Sequence, residues 1–170
     1  MNKVSYEKLC GSCKHQGCCT NSVVPLVFSY DFEKLKAIGK SGNEYVKEIK
    51  VGGRSVKSIK KKENSNICVF WDEEKNMCSI YQNRPLDCKV YPFDIYLVDG
   101  KYHWIVYSCN PDSNWQWTEE HLQSLENDEQ FDELMEKIEL YNDYSKVLML
   151  VSKSQNIPFK VLREVRYKKE

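Results

Sequence analysis

The chain has 170 residues, with 25 Lys+Arg against 25 Asp+Glu, so its formal net charge is zero. Neutrality argues against a broad nucleic-acid footprint, which needs a basic excess to displace counterions. No stretch approaches the roughly 20 apolar residues of a membrane span, and the opening MNKVSYEKLC lacks the apolar core of a signal peptide. A cytoplasmic, reducing setting is expected, with neither membrane nor nucleic acid as partner. In such a compartment eight cysteines point to metal or catalysis rather than to disulfides. The length suits one domain over 1–170, with a cysteine-rich part at 1–110 and a helical packing part at 111–170.

In chain order, residues 1–28 carry Cys10, Cys13, Cys18 and Cys19 without periodicity and read as loop wrapped around a centre. Ser29 is expected to cap a helix over Tyr30–Ile38 that ends at Gly39. A short helix is expected at Glu44–Ile49, a turn at Gly52-Gly53 and a strand at Arg54–Lys60. Ile67–Trp71 and Met77–Tyr81 are short apolar runs separated by a polar loop, which is hairpin grammar. Pro85 opens a short helix through Cys88, since its missing N–H costs nothing in a first turn. Asp94–Val98 and Lys101–Tyr107 flank Asp99-Gly100, a strong two-residue hairpin signal, and Cys109 follows the second strand.

Beyond Cys109 the pattern turns helical. Thr118 caps a helix to Glu126, and a long helix is expected from Asp128 to Val151. Its stripe is Phe131, Leu134, Met135, Ile138, Tyr141, Ser145, Leu148 and Met149. Pro158 is expected to open a last helix over Phe159–Tyr167. The basic runs at Lys57–Lys62 and Arg163–Lys169 read as a solvated edge and a solvated tail.

The cysteines fall into Cys10-x2-Cys13-x4-Cys18-Cys19 and the scattered Cys68, Cys78, Cys88 and Cys109. A Cys-x2-Cys turn sets two thiolates on one side of a loop, where they can share a metal ion. Cys68 and Cys78 are expected on opposite strands of one hairpin, and Cys88 in a first helical turn that favours a thiolate. Adjacent side chains point apart in extended chain, so Cys18 and Cys19 serve two centres or only one of them is a ligand. Thiolate-rich sites suit iron–sulfur clusters and zinc alike. All eight cysteines are candidate metal ligands, for a [4Fe-4S] cluster or, alternatively, for zinc. His15 is a possible additional ligand, whereas His103 reads as a strand residue and His121 as a helix-surface residue.

These residues resemble the YkgJ-like cysteine-cluster family of zinc- or iron-chelating domains. The likeness rests on Cys10 to Cys19, on Cys68-Val69-Phe70, and on Cys78-Ser79-Ile80-Tyr81-Gln82-Asn83-Arg84-Pro85-Leu86-Asp87-Cys88 followed by Tyr91-Pro92-Phe93. It covers roughly residues 10–110 and implies metal chelation without fixing the metal. Part of that family is similar to flagellin lysine-N-methylases, which implies S-adenosylmethionine-dependent methyl transfer. Those enzymes are much longer, and Gly52-Gly53 alone does not make a cofactor loop. Within the motif, Arg84 can serve the cluster or an anionic substrate, or pair with Asp87. Tyr81, Tyr91 and Phe93 can shield a cluster from water, and Trp104, Trp115 and Trp117 are a ligand platform or ordinary packing. The expected fold is α+β, with small antiparallel hairpins and loops around a cysteine-ligated metal centre followed by C-terminal helices. Three function classes stay open: redox or group transfer, a structural zinc module that binds a protein partner, and metal delivery.

Overall fold

Two tight turns set the first pairings. Gly52 and Gly53 both have positive φ (55° and 80°), as do Asp99 (50°) and Gly100 (78°). Successive positive φ values bend a two-residue loop with the twist that antiparallel strands need. The computed structural model describes residues 17–20, 24–107, 118–154 and 157–167. In these, Gly52-Gly53 joins β2 (Val46–Val51) to β3 (Arg54–Ile59), and the short β1 (Leu26–Val27) pairs with the other edge of β3. Asp99-Gly100 joins β6 (Phe93–Val98) to β7 (Lys101–Tyr107) in the expected register, with Val98 opposite Lys101.

Between these sheets lie the hairpin β4 (Trp71–Asp72) and β5 (Met77–Cys78), a 3₁₀ turn at Tyr81–Asn83 and a short helix at Leu86–Val90. The helices, in chain order, are α1 (Gly17–Thr20), α2 (Ser29–Ala37), α3 (Leu86–Val90), α4 (Thr118–Glu126), α5 (Phe131–Glu136) and α6 (Ile138–Ser154). The chain closes on β8 (Phe159–Glu164), which adds to the outer edge of β7. The expected α+β class therefore holds, with small antiparallel sheets and C-terminal helices.

Several elements differ from expectation. Val46–Val51 is a strand rather than part of a helix. A helix this short cannot repay its nucleation cost, whereas Val46, Ile49 and Val51 pair with β3 across the Gly-Gly turn. Phe159–Glu164 is likewise a strand, because the outer edge of β7 takes up its backbone groups. The long helix breaks at Lys137 (φ −105°), whose N–H turns to the carbonyls of Glu133, Leu134 and Met135. No Gly or Pro marks the break; docking overrides propensity there. All eight stripe residues are nevertheless buried or half-buried.

The main core joins both halves of the chain. Leu26, Phe28, Leu86, Val90, Phe93, Ile95 and Trp104 pack with Leu122, Phe131, Leu134, Tyr141 and Tyr144. Trp104 is thus packing rather than platform, while Trp115 and Trp117 lie outside the described residues. The basic tail is not simply solvated: Arg163 bonds Glu126 through both terminal nitrogens (2.7 and 2.9 Å) and Glu119 through Nε (2.8 Å). No described helix is long and apolar enough to cross a membrane.

Candidate metal centre

The cysteine-bearing segments meet first through the backbone. The Cys68 N–H donates to the Cys19 carbonyl at 2.6 Å, joining residues 49 positions apart. Cys68 does not lie on the β4–β5 hairpin, as expected, but just before it. It forms an isolated bridge to Lys61, fixed by Lys62 N–H to Ile67 O (2.8 Å) and Val69 N–H to Lys60 O (3.1 Å). That extension of the β3 strand direction explains the shift: the ladder with residues 60–62 captures Cys68 before the chain turns.

From Cys68 the chain reaches Cys78 by a short path. Trp71 N–H donates to the Cys68 carbonyl (2.9 Å), and Trp71 is the cross-strand partner of Cys78. Ser79 closes the hairpin by donating both N–H (2.8 Å) and Oγ–H (2.9 Å) to the Phe70 carbonyl. The loop between is an Asx turn: Asp72 Oδ1 accepts from the N–H groups of Glu74 (3.1 Å) and Lys75 (3.0 Å). Cys19, Cys68 and Cys78 border one apolar cluster with Val27, Leu35, Val46, Ile59, Phe70 and Ile80. Burial among these side chains is what any packed thiol shows; the Cys19–Cys68 bond is what sets this group apart.

Cys88 stands in the first turn of α3, as expected from Pro85. It belongs to a different neighbourhood, near Tyr144 of α6, whose phenol is pushed up first by burial and then by the charges of Asp87, Asp94 and Cys88. Cys19, Cys78 and Cys88 are partly accessible and Cys68 is buried. Cys10, Cys13, Cys109 and His15 lie outside the described residues, and of Cys18 only the backbone is described. Among the described residues no three His, Cys, Asp or Glu side chains form a ready ligand set. The described thiols nonetheless suit a thiophilic metal chemically, since their donors are all sulfur and two of the four cysteine segments touch directly.

Three buried carboxyls, Asp31, Asp87 and Asp94, tie the surrounding elements together, a role their place in the sequence did not announce. Asp31 (1% exposed) serves two helix starts: Oδ2 accepts from Phe28 N–H (3.3 Å) and Oδ1 from Leu86 N–H (3.0 Å), with Gln130 Nε2 bonded as well. Ser29 is thus the first helical residue rather than the cap; Phe28 holds the cap position, Asp31 in the first turn reaches back to its N–H, and Glu133 accepts the N–H groups of Ser29 and Tyr30. Asp87 accepts from Leu26 N–H (2.7 Å) and from Tyr141 Oη–H (3.2 Å). Asp94 (1% exposed) accepts from Ser145 Oγ–H (2.7 Å), Ile95 N–H (2.8 Å) and Tyr107 Oη–H (3.0 Å). Burial is the main force on all three, against the pull of these donors. It raises Asp31 and Asp94 to about 6 and Asp87, which also faces the Asp94 charge, to about 7. A signal was present: Ser145 in an apolar helical stripe, and Asp94 between Phe93 and Ile95.

The remaining motif residues fall around α3. The Arg84 guanidinium lies over the Tyr81 ring, 4.0 Å from its centroid, while the Asp87 oxygens serve Leu26 and Tyr141. His121 is not a surface residue; it packs on Phe93 (5.3 Å between centroids). Burial and the Arg84 charge hold it down at about 4, against a bond to the Lys89 backbone.

A family model described as "CxxCxxCC: Putative zinc- or iron-chelating domain" matches residues 9–110. Comparison with curated proteins and with solved structures returned no match.

Proposed function

The chain belongs to the CxxCxxCC family of zinc- or iron-chelating domains, and on that premise we propose that it holds a [4Fe-4S] cluster through cysteines drawn from its eight. Metal binding itself follows from the family; the cluster is the finer step. The observation that carries it is the Cys68 N–H bond to the Cys19 carbonyl, which brings the Cys19 segment onto the Cys68 segment. In this reading Cys19, Cys68 and Cys78, which border one apolar cluster, supply thiolates, and Cys88 supplies another from its separate neighbourhood on α3. Four thiolates suit a [4Fe-4S] cluster and a tetrahedral zinc ion alike, so iron and sulfide content is what separates the two readings.

Such a cluster supplies one-electron redox chemistry or a Lewis-acidic iron for group transfer. The chain's own part is to hold thiolates and exclude water. Phe70 and Ile80 pack against the cysteine-lined cluster, and Tyr81, under the Arg84 guanidinium, follows in the chain. Apolar walls of that kind tune a cluster's potential.

The test is anaerobic purification followed by visible spectroscopy. A brown protein with a broad absorption in the violet-blue, lost in Cys78→Ala and Cys88→Ala, is expected. A colourless protein with stoichiometric zinc would replace the cluster by a structural zinc site. Full metal content in both variants would remove Cys78 and Cys88 from the ligand set.

A further inference from the structure

We infer that Asp87 is a positioning residue for Cys88, tying the turn that carries this thiol to the strand that follows Cys19. The inference rests on Cys88 being a metal ligand, as proposed above.

Helix α3 has five residues, too few to hold its own shape. Its first turn is Leu86-Asp87-Cys88, and beyond the helix's own backbone bonds it is tied from outside. Leu86 N–H goes to Asp31 Oδ1 at 3.0 Å. Asp87 Oδ2 takes Leu26 N–H at 2.7 Å, and Oδ1 takes the Tyr141 hydroxyl at 3.2 Å. Leu26 opens β1, only seven residues after Cys19. Two residues earlier in the same stretch, the Val24 carbonyl accepts the Tyr144 hydroxyl. Tyr141 and Tyr144 are both on α6, beyond the family-matched residues 9–110.

One helical face thus grips both arms: Tyr144 holds the segment leaving Cys19, and Tyr141 holds the carboxyl that joins this segment to the Cys88 turn. Metal sites demand that ligands be fixed to within about 0.5 Å. Among the described residues the carboxylates of Asp31 and Asp87 both span the two arms, and Asp87 is the one whose neighbour in sequence is the ligand. Replacing it with an apolar group would leave the buried Leu26 N–H without its acceptor and free the Cys88 turn to shift.

The experiment compares metal release. Wild type, Asp87→Ala, Asp87→Asn, Tyr141→Phe and Leu134→Ala are purified without oxygen, treated with excess EDTA, and the metal remaining per chain is followed by elemental analysis. Leu134 is fully buried in the core, so Leu134→Ala is a control that loses stability without touching the carboxyl. Urea midpoints are measured on the same samples. Asp87→Ala should release metal about tenfold faster than the control at comparable stability, the scale of an outer-shell partner of a ligand. Asp87→Asn keeps an acceptor for Leu26 and a donor for the Tyr141 oxygen, and should stay close to wild type. If Asp87→Ala does not fold, Tyr141→Phe, which removes one bond and no core volume, should still accelerate release beyond the control.

Equal release from Asp87→Ala and the control, or from Asp87→Asn and Asp87→Ala, overturns the positioning role while leaving metal binding intact. A wild type without metal overturns both.

Discussion

Replacing Asp94 with asparagine should remove most of the pH dependence that this buried carboxyl imposes on stability. In the folded chain burial holds Asp94 near 6, against 3.8 for the ordinary side chain. Between those values the folded protein keeps a proton that the unfolded chain gives up. The stabilisation from this group is therefore complete below about pH 4 and is lost as pH rises through about 6. At 1.36 kcal/mol per pKa unit, the loss amounts to about 3 kcal/mol. Asparagine cannot titrate, yet it can accept from Ser145 and Ile95 and donate to the Tyr107 oxygen. The assay is urea unfolding of both proteins from pH 4 to 7.5, read as the difference between them. Subtraction matters, because His121, held near 4, contributes with the opposite sign in the same window, and thiolate–metal bonds weaken in acid. The advantage of wild type over Asp94→Asn should shrink by about 3 kcal/mol across the range. Loss of the Asp94 charge also lowers Asp87, which widens the change in the same direction. A difference that stays flat, or grows with pH, would show that Asp94 ionises normally and refute the reasoning.

Other outcomes follow from single contacts. Arg163→Ala should cost about 3 kcal/mol in urea unfolding, because it strips the bidentate partner from Glu126, whose side chain is only 6% exposed. Gly52→Ala should destabilise by more than Gly53→Ala in thermal melts. Both glycines have positive φ, a strain of about 1–2 kcal/mol for alanine, but only at Gly52 would a Cβ fall 2.7 Å from the Asp143 carboxylate and disturb its pair with Arg54. Stripping the metal with a chelator should lower the melting midpoint and loosen the β4–β5 hairpin, seen as faster amide exchange at Trp71 and Ser79, since metal binding and folding are coupled.

Local chemistry was legible wherever a residue type forces the backbone. Gly52-Gly53 and Asp99-Gly100 made their hairpins, Pro85 stands at the cap of its helix, one position before the first turn where it was expected, and Gly39 (φ 69°) follows the end of α2. Legibility failed where distant partners decide. Val46–Val51 and Phe159–Glu164 have compositions that tolerate either state, and each became a strand because a neighbouring edge was there to receive it. The break at Lys137 carries no breaker residue. The cysteine spacing identified the ligand candidates, yet the buried carboxyls that tie the elements together were missed. Asp31, Asp87 and Asp94 look like ordinary surface acids until their long-range donors are known: Leu86, Leu26 and Ser145 lie 55, 61 and 51 residues away. The Cys19–Cys68 junction was equally invisible, because it is a backbone bond.

The central claim is that the cysteines hold metal, and elemental and sulfide analysis of the anaerobically purified chain tests it most directly. About four iron and four acid-labile sulfide per chain are expected for one [4Fe-4S] cluster. A folded protein containing neither iron nor zinc would contradict the account.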